Sequence, residues 1–178
     1  ASNTAYKAGY ANYFTAPADF ADWPMFNYYN NNFKWEYLPT NGHPNAYGCI
    51  RYRSYDDRSY PEKYTNPPEG DFDDIFTPAF DLNSVAATTG GASKVNLNFF
   101  SAGSLQSNSN YNDSMTIYAS NTCGETWTRL TVLNFSQLIN NSVQAAEFAP
   151  TNASQWKAQT INVPASLQTD KTFFRFRY

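Results

Sequence analysis

The chain has 178 residues with a formal charge of -3 and a pI near 5.0. That length carries a sizeable core within one domain, taken as residues 1-178. The lack of any basic run excludes the phosphate neutralisation that nucleic-acid binding needs, and no apolar stretch reaches the length of a membrane span. Aromatics reach 18%, with 14 Tyr and 14 Phe against 15% charged residues. Such side chains suit a pleated, half-buried surface, so the composition favours a β fold.

Taken in chain order, the first residues have weak periodicity, and no signal peptide opens at Ala1, so the chain reads as mature or excised. The proline-punctuated segment Ala16 to Pro24 is expected to cover a sheet edge. Phe33 to Leu38 alternates apolar and charged residues, as a half-buried strand does. A turn with Asn41-Gly42 at its tip leads to a second strand, Ala46 to Tyr52. Arg53 to Gly70 is a long loop rich in Tyr, Asp, Pro and Arg, and long loops in compact domains are often functional. Asp74 to Leu82 reads as a strand bent at Pro78, followed by a Gly-rich turn from Thr88 to Ser93.

Val95, Leu97 and Phe99 share one face of the next strand, and Met115, Ile117 and Ala119 share one face of another. The turn Asn121 to Gly124 leads into Trp127 to Leu130. Asn134 to Ser154 is a second long excursion, with a helical turn near Ser136 to Ile139. Trp156 to Val163 and Phe174 to Tyr178 complete the pattern. About eight short strands with turn signals between them imply a β-sandwich or barrel. Trp127 and Trp156, each following a turn, are expected to anchor the core.

Catalytic constellations are sparse. His43 is the only histidine, so any Ser-His-Asp or Cys-His arrangement would have to use it, but it lies in an Asn-Gly-His-Pro turn and reads as an exposed loop residue. His-Glu-x-x-His is absent from the chain. Cys49 and Cys123 are either a disulfide or two free thiols. Acidic residues cluster at Asp71, Asp73 and Asp74. A hard cation such as calcium takes about six to eight oxygens from carboxylates, carbonyls and Asn, so these three are the expected metal ligands. A solvated acidic loop is the alternative. In the long loop, Tyr55, Arg58, Tyr60 and Tyr64 combine rings with a guanidinium, a mixture suited to sugar or protein contact. Asn134-Phe135-Ser136 and Asn152-Ala153-Ser154 fit N-glycan acceptors, and Asp113-Ser114-Met115 fits a short O-glycosylation pattern.

Three blocks carry a resemblance: Asp73-Asp74-Ile75-Phe76-Thr77-Pro78-Ala79-Phe80-Asp81-Leu82, Ser120-Asn121-Thr122-Cys123-Gly124-Glu125-Thr126-Trp127, and Ser154-Gln155-Trp156-Lys157 through Val163-Pro164. In this order they resemble the MAM-like jelly-roll accessory domains of secreted Bacteroidota proteins, found beside pappalysin-like metalloproteases and in cleaved adhesins. The resemblance implies an all-β jelly-roll sandwich of two antiparallel sheets. It implies a non-catalytic extracellular module that binds carbohydrate or protein within a larger secreted or cell-surface protein, with calcium near the acidic block. It also implies one more strand after Phe173 to Tyr178. A jelly roll without that strand would expose an unpaired ladder, so the expectation is a fragment of a longer chain or a strand lent by another. A glycan-active enzyme using loop carboxylates, and a structural spacer, are the rival readings.

Overall fold

A computed structural model describes residues 5, 10–39, 43, 48–54, 72–92, 95–104, 113–140 and 147–178. Within them, strict alternation builds the main sheet. Phe174 and Phe176, Met115, Ile117 and Ala119, and Ile75 are all buried, while the residues between them point the other way. Nine strands result: β1 (Met25–Phe26), β2 (Trp35–Leu38), β3 (Cys49–Tyr52), β4 (Asp74–Phe76), β5 (Asn96–Ser101), β6 (Ser114–Ser120), β7 (Thr128–Asn134), β8 (Lys157–Asn162) and β9 (Phe173–Arg177). Every pairing is antiparallel. The fold is mostly β, as composition and periodicity anticipated.

Five strands form one sheet in the order β1-β4-β9-β6-β7, and β2-β3 and β5-β8 form two separate two-stranded ribbons. Both ribbons pack on the same face of the large sheet. Trp35 of β2 and Ile161 of β8 share a core cluster with Ile117 and Phe176, and the Phe99 ring of β5 meets Phe176 edge-on at 5.5 Å. The arrangement is sandwich-like, with the second layer in two pieces. β9 is hydrogen-bonded on both flanks, to β4 and to β6, so no vacant place adjoins it in the large sheet. No ladder joins the two ribbons among the described residues.

Three features differ from what the sequence suggests. First, the strand after Asp73 stops at Phe76 rather than running through Leu82. Pro78 has no N–H to continue the ladder. Asp81 then caps a helix, α1 (Leu82–Thr89), its carboxylate accepting from the Ser84 backbone at 3.0 Å and the Ser84 hydroxyl at 2.6 Å. Gly90, in the left-handed region at φ 84, ends that helix. Second, β1 is a strand with no sequence signature, and it edges the large sheet beside β4. Third, Trp127 and Trp156 do not belong to the core cluster: both are half-buried, and Trp156 packs with His43 at 5.7 Å.

The expected helical turn is present as α2 (Phe135–Leu138). Both Asn-x-Ser sequences act as local caps. Asn134 accepts from the Gln137 N–H and the Ser136 hydroxyl, and Asn152 accepts from the backbone and hydroxyl of Ser154.

The two cysteines are free. Cys123 is exposed in the β6–β7 turn, whereas burial pushes the Cys49 thiol of β3 up to about 11, against the opposing pull of Arg51. At pH 8 iodoacetamide is therefore expected to alkylate Cys123 first. Cys49 labelling in the folded protein should rise about tenfold per pH unit until the pH nears 11. The folded chain keeps a proton that the unfolded chain releases, so this group costs stability as pH climbs from its ordinary value towards 11. Mass-spectrometric labelling across pH checks the order, and equal rates at both cysteines would contradict it.

No described helix is long and apolar enough to cross a membrane.

Candidate functional site

The same alternation that sends Ile75, Phe174, Phe176 and Ile117 inward sends Asp74, Phe76, Arg175, Arg177 and Tyr118 to the outer face of the large sheet. Register then sets these residues in rows. Asp74 lies opposite Arg177, Phe76 opposite Arg175, and Arg175 opposite Tyr118. Directly opposed side chains on one face are the pairs that interact most strongly across strands.

The centre of the face is an ion pair. Arg177 grips Asp74 with two parallel bonds, Nε to Oδ1 at 2.8 Å and Nη2 to Oδ2 at 2.8 Å. Tyr28 donates its hydroxyl to the same Oδ2 at 2.9 Å. The Asp74 carboxylate is wholly buried beneath these partners. Its hydrogen bond and charge hold Arg177 above its ordinary pKa. Burial, helped by the hydrogen bond that Tyr28 itself donates to Asp74, raises the Tyr28 phenol. Bidentate Arg–carboxylate pairs of this kind fix geometry as well as adding energy.

Arg175 is held differently. Its guanidinium lies over the Tyr118 ring at 4.1 Å and the Trp127 ring at 4.6 Å. Its Nη1 is 3.8 Å from Asp74 Oδ2, close enough to feel the charge but too far for a hydrogen bond. Its Nε is enclosed and has no hydrogen-bond partner among the described residues. Burial lowers the Arg175 pKa, Asp74 opposes that, and Arg177 adds to it. Two guanidiniums thus share one carboxylate.

Around this centre runs an aromatic rim. Arg177 stacks on Phe72 at 3.9 Å. Phe76 bridges Phe26 at 5.4 Å and Trp127 at 5.5 Å. Phe26, Tyr28 and Tyr29 are 50%, 51% and 44% exposed. Large rings left open on a sheet face, beside buried charge, are a feature of recognition surfaces.

The residues proposed from sequence fall in two groups. Tyr55, Arg58, Tyr60, Tyr64 and Asp71 lie outside the described residues. Asp73 and Asp74 are both buried in or beside β4 and form no solvated loop. Asp73 Oδ1 accepts from the Tyr28 N–H at 2.9 Å, and its carbonyl accepts from the Trp35 indole at 3.0 Å. A cation at Asp74 would have to displace Arg177 and Tyr28. No group of three or more His, Cys, Asp or Glu able to hold a metal exists among the described residues.

Sequence reasoning missed Phe26, Tyr28, Tyr29, Tyr118, Trp127, Arg175 and Arg177 as members of one face. The available signal was Phe174-Arg175-Phe176-Arg177, which puts both arginines on a single side of a strand.

No family model matches this chain, and no match to it was found among the curated proteins or the solved structures.

Proposed function

We propose that this protein is a non-catalytic extracellular binding module of a larger secreted or cell-surface protein, and that its ligand is a carbohydrate docked on the outer face of the large sheet. One observation carries the reading: the exposed Phe26–Tyr28–Tyr29 rim continues into the Phe76, Trp127 and Arg175 cluster on a rigid five-stranded support. The apolar C–H faces of pyranose rings stack on such side chains, and adjacent Arg and Tyr donors reach the hydroxyls. Phe26 and Phe76 stand on β1 and β4, and Tyr28 is held by its hydrogen bond to Asp74, so little ordering entropy is lost at these rings when a ligand arrives. The jelly-roll connectivity of MAM-like accessory domains belongs to the same proposal. Asp73 and Asp74 are already engaged by Arg177 and Tyr28, so the proposal rests on the aromatic face and not on a cation.

Affinity electrophoresis through gels containing a panel of polysaccharides tests this reading. The wild-type protein should be retarded by at least one of them. The Phe26→Ser/Tyr29→Ser double variant should lose at least about tenfold in affinity, since each exposed ring contributes roughly a kcal/mol to contact. Both positions are exposed, so the fold should survive and circular dichroism should be unchanged. Retardation that ignores the double substitution would overturn the assignment of the face.

A further inference from the structure

We infer that the ligand of this face is an acidic polysaccharide, whose carboxylate or sulfate is received by Arg175. The inference rests on the outer-face reading above and names the chemistry of its ligand.

The argument starts from what Arg175 lacks. A guanidinium carries five N–H donors, and buried or half-buried ones are normally spent on carboxylates or carbonyls. Here the side chain is only 14% exposed, yet the described residues give it no hydrogen bond. Its nearest carboxylate oxygen, Asp74 Oδ2, is 3.8 Å away and already accepts from Arg177 and Tyr28. The Tyr118 and Trp127 rings flank the guanidinium and fix its plane. A positive group is therefore oriented and largely desolvated, with only a carboxylate it shares with Arg177, 3.8 Å away, to balance it. The outer face gains a further positive charge from Arg129, which is exposed on β7 opposite Tyr118. Such preorganised donors favour a planar or tetrahedral anion, and surplus positive charge on an otherwise acidic chain steers that anion to this face. The aromatic rim supplies the sugar contacts, and Arg175 supplies selection for acid-bearing residues.

The test uses affinity electrophoresis in gels holding polygalacturonate (carboxylate only), dextran sulfate (sulfate only) or dextran (neutral), at low ionic strength. Retardation by polygalacturonate, by dextran sulfate or by both, with little by dextran, is the expected result. The arm that binds identifies carboxylate or sulfate as the anion. Arg175→Lys keeps the charge but loses the planar fork, and it should weaken that binding about tenfold, the loss expected for one charge-assisted hydrogen bond. Arg175→Met should weaken it further, and folding should persist because Arg177 still neutralises Asp74. Circular dichroism verifies that. Arg129→Gln should cost less, since it alters only the surrounding field. If dextran binds as well as the acidic polymers and Phe26→Ser/Tyr29→Ser abolishes it, the face stands and the acidic ligand is wrong. If the acidic polymers bind but neither Arg175→Met nor the rim variant changes retardation, the acid is held elsewhere, and both the face and the role of Arg175 fall. No retardation in any of the three gels would likewise overturn the acidic glycan.

Discussion

Replacing Asp74 with alanine is expected to destabilise the protein by about 3–5 kcal/mol, the usual cost of removing one partner from a buried ion pair. Three groups depend on that carboxylate. Arg177 holds it with two bonds of 2.8 Å, Tyr28 donates to it, and Arg175 lies within its field. Without it, two guanidiniums on neighbouring positions of β9 repel each other with nothing between them. The charge is wholly buried and Arg177 keeps 28% of its side chain exposed, so screening by solvent is partial at most. A loss of this size should lower the melting temperature by about 10 °C for a chain of this length. Urea unfolding of Asp74→Ala, Arg177→Met and the double variant measures the coupling. The double variant should recover most of the loss, because an apolar pair avoids the desolvation cost. A single-variant cost below about 1 kcal/mol would mean that the pair behaves as a surface salt bridge.

Phe176→Ala should cost about 4 kcal/mol, within the range for emptying an aromatic site in a packed core. Phe176 is 8% exposed and sits on β9, the central strand, facing the ribbons. Its ring meets Phe99 edge-on at 5.5 Å, so it joins the large sheet to the β5–β8 ribbon. Removing it loses transfer energy and leaves a cavity that two rigid layers cannot readily close. Val132→Ala, on a residue 42% exposed on edge strand β7, should by contrast cost under about 0.5 kcal/mol. Chemical denaturation of both variants compares the two positions directly, and similar costs would show that β9 does not carry the core.

These two effects share a cause, and it explains how much could be read from the chain. Strand positions follow from local alternation, so Leu97 with Phe99 and Met115 with Ile117 located β5 and β6 without difficulty. Two residues cannot display a period, so β1 stayed invisible. The helix after Pro78 was signalled only by its ends, the Asp81 cap and Gly90, and an apolar pair on either side of Pro78 read more strongly as strand. Strand order was not legible, because it is set by contacts between distant residues. Asp74 and Arg177 are 103 positions apart, and nothing local to either announces the other. The outer face was therefore visible only as fragments: an acidic block, a pair of arginines in an alternating strand, and a tryptophan after a turn. Trp127 was misplaced for a related reason. A large apolar ring defaults to the core, yet here the register of β6 and β9 puts Arg175 and Tyr118 beneath it, and cation–π contact holds the ring on the outside.

The four tryptophans give the most direct test that the outer face of the large sheet is where ligand binds. In an NMR titration with oligogalacturonate, the Trp127 indole signal and the Arg175 Nε–H signal are expected to shift progressively. The Trp156 indole, packed against His43 beside the other layer, should stay in place, as should that of Trp35 in the core. A titration that moves Trp156 and leaves Trp127 and Arg175 untouched would put the ligand on the opposite layer and contradict the account.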